Sequence, residues 1–166
     1  MAKVQGPVLL NVMNYEVPFI DRVRNLGVYF DSSLSFDSHI GQLCSGLYLQ
    51  LRRIGQIRSY LTINSTKKLV AFVLSRLDYC NATLAGLSDD KIAKLQRVQN
   101  MSARLVLRKS RRDTVTALLL ELHWLPMRAR IDYKVATLCY HCLHNSKTLM
   151  YRRELIKQYI PQRSLR

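Results

Sequence analysis

The chain has 166 residues, 48% of them apolar and 22% charged, which is enough hydrophobic material for one ordinary domain and too much for a disordered segment. Its 26 Lys and Arg against 11 Asp and Glu leave a net charge of +15, unevenly spread: residues 1–90 hold 9 basic and 7 acidic side chains, residues 91–166 hold 17 and 4. No run approaches the roughly 20 apolar residues of a bilayer span, so the balance predicts a polyanionic partner met by the second half, and no membrane crossing.

After Lys3 the apolar run "VLLNVM" is too short for a secretory signal and no small-residue cleavage site follows. This predicts an intracellular protein, nuclear or cytoplasmic and not secreted. Cys44, Cys80, Cys139 and Cys142 then read as reduced, small apolar residues rather than a disulfide framework.

Strand character is confined to the first 31 residues, where "VLLNVM", "VPFI" and "RVRNLGVYF" are short, β-branched or aromatic, and separated by Asn, Pro and Asp. They predict a small meander whose apolar face needs a covering partner. From Ser35 the period changes to 3.6, and Phe36, Ile40, Leu43, Leu47, Leu51 and Ile54 form one stripe of a first helix capped by Ser35. Gly41, Gly46 and Gly55 weaken that helix. The cap-rich "TINST" precedes a second, "KKLVAFVLSRLDYCNATL", apolar on nearly every face and so expected to be the most buried element. "DDKIAKLQRVQNMSARLVLR" forms the third, with Asp89 and Asp90 in its first turn and Arg104 and Arg108 in its last, as the helix dipole favours. A short fourth helix is "TVTALLLELHW", Pro126 opens a fifth through "PMRARIDYKVATLCYHCLH", and "LMYRRELIKQY" adds a further turn or two. The fold class expected is mainly α, a bundle of about five helices with a short N-terminal β-meander or hairpin.

Four constellations invite a chemical reading. Asp89 and Asp90 are the one adjacent carboxylate pair, yet two-metal polymerase aspartates sit in a strand turn, whereas these follow Ser88 and open a helix. "CYHCLH" superficially suggests zinc, but at about 100° per residue Cys139, His141, Cys142 and His144 spread over roughly 220° of one helix, so core packing along Ile131, Val135 and Leu138 is preferred. His123 beside Trp124 lacks a nucleophile and orienting acid and reads as a helix-end corner. Asp31 precedes two serines and reads as a turn or cap.

The basic run is the exception. Lys91, Lys94, Arg97, Arg104, Arg108, Lys109, Arg111 and Arg112 follow one another with no acidic residue between. On a helical wheel Lys94, Arg97, Arg104 and Arg108 fall within about 80°, opposite Ile92, Leu95, Val98, Ser102, Leu105 and Val106. A solvated face and a phosphate track both fit that charge. An ordinary solvated face mixes signs to gain i,i+4 pairing, and this one does not. Lys67 and Lys68, placed in the first turn of the second helix against its dipole, also favour a bound phosphate backbone.

The segments "VRNLGVYFDSSLSFDSHI", "LRRIGQIRSYLT", "SRLDYCNATLAGL", "KLQRVQNMSARLV", "RRDTVTALLLELHWLPMRARIDYK" and "YIPQRSLR" occur in that order. Together they resemble, over about residues 22–166, the reverse transcriptase (RNA-directed DNA polymerase) of non-LTR retrotransposons of the LINE-type, jockey-like group. The resemblance implies that Asn25, Leu26, Gly27 and Val28 are a primer-grip-like strand motif at the palm and thumb boundary. Residues 1–34 would then be a β segment of that boundary, 35–112 thumb-like helices and 113–166 a helical connector. It implies a thumb that closes over a template and primer duplex, RNA–DNA or DNA; the basic face then makes Lys67, Lys68, Lys94, Arg97, Arg104, Arg108, Arg111 and Arg112 the expected phosphate contacts of a nucleic-acid binding tolerant of base sequence.

The family's fingers and palm, with the magnesium-binding aspartate pair, have no counterpart here, and "MAKVQG" matches nothing in it. The expectation is a truncated copy, not an enzyme on its own, with no cofactor, Mg2+ belonging only to the missing palm. The alternative is a helical interaction module that self-associates through surfaces that once faced the palm.

Overall fold

The computed structural model describes residues 9–13, 15–18, 20–144 and 150–156, and is mainly α-helical with two N-terminal hairpins. Strand β1 (Leu9–Val12) pairs antiparallel with β2 (Tyr15–Pro18), and β3 (Arg22–Asn25) with β4 (Val28–Asp31), as two separate sheets. Of the expected meander or hairpin it is the hairpin that forms, twice, because "RVRNLGVYF" is not one strand but two. Leu26 and Gly27 take φ of 46° and 86°, the two positive values of a type I′ turn, whose twist matches that of the strands it joins. Gly27 adopts this conformation without Cβ strain. The Tyr79 hydroxyl donates to the Leu26 carbonyl at 2.9 Å and pins the turn to the helices.

The bundle comprises α1 (Asp37–Gln56), α2 (Ile63–Asp78), α3 (Asp89–Leu107), α4 (Val115–Glu121), α5 (Met127–His144) and the short α6 (Met150–Leu155). Residues 157–166, including the expected end of the tail and "YIPQRSLR", lie outside the described residues.

Helix α1 begins differently from the expected Ser35 cap. Phe36 stands at the N-cap with φ 58°, and the Asp31 carboxylate accepts from the Ser35 and Phe36 backbone N–H groups at 2.8 and 3.0 Å and from both the Ser33 and Ser35 hydroxyls. These bonds, led by the Ser35 N–H and the Ser33 hydroxyl, hold the carboxyl down at about 2. The turn role expected of Asp31 is therefore seen, and Ser35 serves one step later by accepting the Asp37 N–H at 3.3 Å.

The α1 stripe packs as read, with Ile40, Leu47 and Leu51 buried. The most buried element, however, is α3 and not α2. Helix α3 packs against α1, α2, α4 and α5, while α2 leaves Phe72 73% exposed. Helix α2 also ends at Asp78, since Cys80 takes φ 53° and Asn81–Leu84 form a 3-10 turn. An amide chain fixes α3 to the α4–α5 joint: the fully buried Gln99 donates to the Leu125 carbonyl at 2.8 Å, and Gln96 accepts the Met127 N–H at 2.8 Å. Buried amides held in this way specify one docking angle, because any other leaves them unpaired.

Along α5, Ile131 and Cys142 are buried as expected, but Leu138 is 41% exposed and Cys139 only half-buried. The expected core stripe fails there because no described element covers the outer half of that face.

Candidate nucleic-acid interface

Helix α3 supplies the cations because its other face is spent on the core. Ile92, Leu95, Val98, Ser102 and Val106 are buried, which turns Lys94 and Arg97 to solvent and leaves Arg104 half-buried. Beyond Leu107 the helix departs from the wheel. Arg108 takes φ 54°, and the Lys109 N–H returns to the Arg104 carbonyl at 3.0 Å, closing the helix by a left-handed residue where a glycine is usual. The expected line of four cations therefore loses its last member. Arg108 instead reaches across to the 3-10 turn Arg58–Tyr60, where its Nη2 donates to the carbonyls of Arg58, Leu61 and Ser59 at 3.2, 3.3 and 3.4 Å.

Opposite it lies the residue that the sequence reading missed. Arg58 is buried, and its guanidinium donates to the carbonyls of Leu105, Val106 and Leu61 at 2.8, 2.7 and 2.7 Å. Two of these carbonyls end α3, where a helix has no further N–H to offer and carries partial negative charge. Desolvation, and then the neighbouring Arg108 charge, lower the Arg58 pKa.

These side chains surround a groove of about 840 Å³ lined by Tyr48, Arg58, Arg97, Asn100, Met101, Arg104, Leu105, Arg108, Lys109 and Arg111. Of the expected phosphate contacts it brings together Arg97, Arg104, Arg108 and Arg111, and adds Arg58 and Lys109. Lys67, Lys68, Lys94 and Arg112 do not line it. Lys67 and Lys68 are exposed in the second turn of α2, behind a Thr62 cap that accepts the Ser65 N–H, so the dipole argument made for them does not hold. Lys91 is occupied too, donating to the Ser35 carbonyl and to Asp37 at 2.7 and 3.0 Å.

The cations differ in what they have left to give. Arg58 and Arg108 spend donors on backbone carbonyls, and Arg104 spends its Nε on the Ser110 carbonyl at 3.0 Å, leaving the terminal nitrogens. Asp113 is the nearest acid in sequence, but its carboxylate is taken by the Ser110 N–H and does not line the groove. Tyr48, Met101 and Leu105 give the groove an apolar floor, and burial, followed by Cys44, raises the Tyr48 phenol above its ordinary value against the pull of Arg97.

The other sequence candidates resolve into structural parts. Asn25–Val28 are the ends and turn of the β3–β4 hairpin, not a strand. Asp89 and Asp90 open α3, and Asp89 pairs with Arg128. His123, at φ 56°, ends α4 with the Trp124 N–H on the Leu119 carbonyl at 2.8 Å. Tyr140 rests against His144 at 4.6 Å and His141 at 6.0 Å between ring centroids. Among the described residues no cluster of three His, Cys, Asp or Glu side chains is placed to hold a metal, and no helix is long and apolar enough to cross a membrane.

Compared with protein-family models, curated proteins and solved structures, the chain matches none.

Proposed function

We propose that the chain binds nucleic acid as the thumb and connector part of a non-LTR, LINE-type reverse transcriptase, holding a template and primer duplex by its backbone phosphates. The observation that carries this reading is the groove at the end of α3, where six cations and no carboxylate converge and several keep donors free. Such a surface neutralises phosphates without reading base edges, so binding is tolerant of sequence and releases counterions. Lys94 and Arg112 extend the track outside the groove, Lys67 and Lys68 lie on the neighbouring helix, and the Asn25–Val28 turn is the part that would meet a primer end. The chain carries out no polymerisation by itself in this reading, and Mg2+ serves the palm, not the binding.

The test is fluorescence anisotropy on an RNA–DNA hybrid across salt, with the triple variant Arg97→Ala, Lys109→Ala, Arg111→Ala. Those three side chains have no structural hydrogen bond to lose, unlike Arg58 and Arg108. The parent's log K falls steeply with log salt, and the variant's slope is shallower by about 2–3. Equal slopes for the two proteins would sink the proposal.

A second reading has its own observation. Val12 and Tyr15 pair across β1–β2, with Val17 on the same face, and they are 47%, 76% and 48% exposed. An uncovered apolar hairpin face suits self-association or docking on a palm.

A further inference from the structure

A phosphate track needs no apolar floor, yet the groove at the end of α3 has one. Tyr48 and Met101, 36% and 38% exposed, lie there beside Leu105, beneath a rim of guanidinium groups. A duplex backbone laid over the rim satisfies the cations and leaves the aromatic ring and the thioether facing water. The volume of about 840 Å³ falls within the roughly 300–1,000 Å³ typical of small-molecule sites. The site thus offers a planar apolar surface and fixed positive charge within one hollow, and it excludes carboxylates.

Two details narrow the occupant. Asn100 lines the same groove, and its amide oxygen is taken by Gln96 Nε2 at 2.7 Å, which leaves its NH2 group to donate to an acceptor. Arg104 is held by the Ser110 carbonyl through Nε, which fixes the guanidinium plane while its two terminal nitrogens stay available in the fork geometry that grips a phosphate. A ligand that uses all of these has a flat ring with acceptors on its edge and a phosphate attached.

We infer that the groove takes up one unpaired nucleotide of a bound strand, its base against Tyr48 and Met101 and its phosphate on Arg104 and Arg111. The inference rests on the nucleic-acid reading and adds to it a preference for an unpaired end over a blunt duplex. Base stacking on an aromatic ring tolerates any base, so the preference is for structure and not for sequence.

The experiment compares a blunt RNA–DNA hybrid with the same hybrid bearing a one-nucleotide overhang of 2-aminopurine. The overhang binds about five- to tenfold tighter, and its fluorescence is quenched on binding. Tyr48→Phe keeps the ratio, whereas Tyr48→Ala brings it to about one. Met101→Ala, which leaves α1 intact, lowers it if Tyr48→Ala does not fold. Equal affinities for blunt and overhang hybrids, with no quenching, overturn the inference while leaving duplex binding standing. Displacement of the overhang by a glutamate-rich peptide as readily as by an oligonucleotide overturns it as well, since the groove then answers to charge alone. Failure of both hybrids to bind removes the nucleic-acid reading and this inference together.

Discussion

Asp31 illustrates how a single carboxylate is recruited to shape a joint. It ends β4, yet its oxygens gather the N–H groups of Ser35 and Phe36, so that the chain turns and α1 starts with Phe36 driven into the core. The carboxyl is held at about 2, against ~3.9 for a free aspartate. A depressed carboxylate stabilises the fold fully above the unfolded value and loses that contribution as pH falls through the folded one. Asp31→Asn is therefore less heat-stable than the parent at neutral pH, and thermal melts show the gap closing between about pH 4 and about pH 2. A gap that persists unchanged at the acid end would mean that the charge is irrelevant to the joint. The role was legible in the sequence, because Asp followed by two serines after a strand is a turn signal. The detailed partner set was not, since Ser35 competes for the same helix start.

At the scale of elements, the helix ends explain both the successes and the errors of sequence reading. Stripes such as Ile40, Leu47 and Leu51 repeat over several turns, so the bodies of α1 and α3 are legible from period alone. Ends depend on one or two residues. Arg108 and His123 take left-handed conformations without being glycine, and no composition signal announces them. The "NLGV" turn hides in a run of strand-forming residues because only Gly27 marks it. Arg58 lies in "GQIRSY", which has no period, and only the fold brings it against the carbonyls of residues 105 and 106. Replacing it tests the joint between the 3-10 turn and α3. Arg58→Ala strands the Leu105 and Val106 carbonyls, leaves that of Leu61 to Arg108, and costs roughly 3 kcal/mol, read as a lower denaturant midpoint. Arg58→Lys recovers little, because a compact ammonium does not reproduce the three-way fork. Full recovery by lysine would show that charge at the helix end, not hydrogen bonding, supports the joint.

At the scale of the whole molecule, the net charge of +15 acts in opposite directions on the two associations proposed for this chain. Nucleic-acid binding is driven by counterion release and weakens as salt rises. Self-association through the exposed β1–β2 face brings two strongly positive bodies together, so repulsion opposes it at low salt. Raising salt from about 0.1 to about 1 M shortens the screening length from about 10 to about 3 Å and removes most of that repulsion, while apolar contact survives. Sedimentation in rising salt therefore shows a monomer that begins to dimerise, over the same range in which the hybrid is released. Val17→Lys places a charge on the apolar hairpin face, 48% exposed in the parent, so it keeps the protein monomeric at high salt without touching the α3 groove. Dimers that dissolve as salt rises, or that Val17→Lys leaves intact, would show that the hairpin face is not what joins the copies. The sign of the salt dependence thus separates the basic groove from the apolar hairpin, because charge pairing weakens and apolar contact strengthens along the same axis.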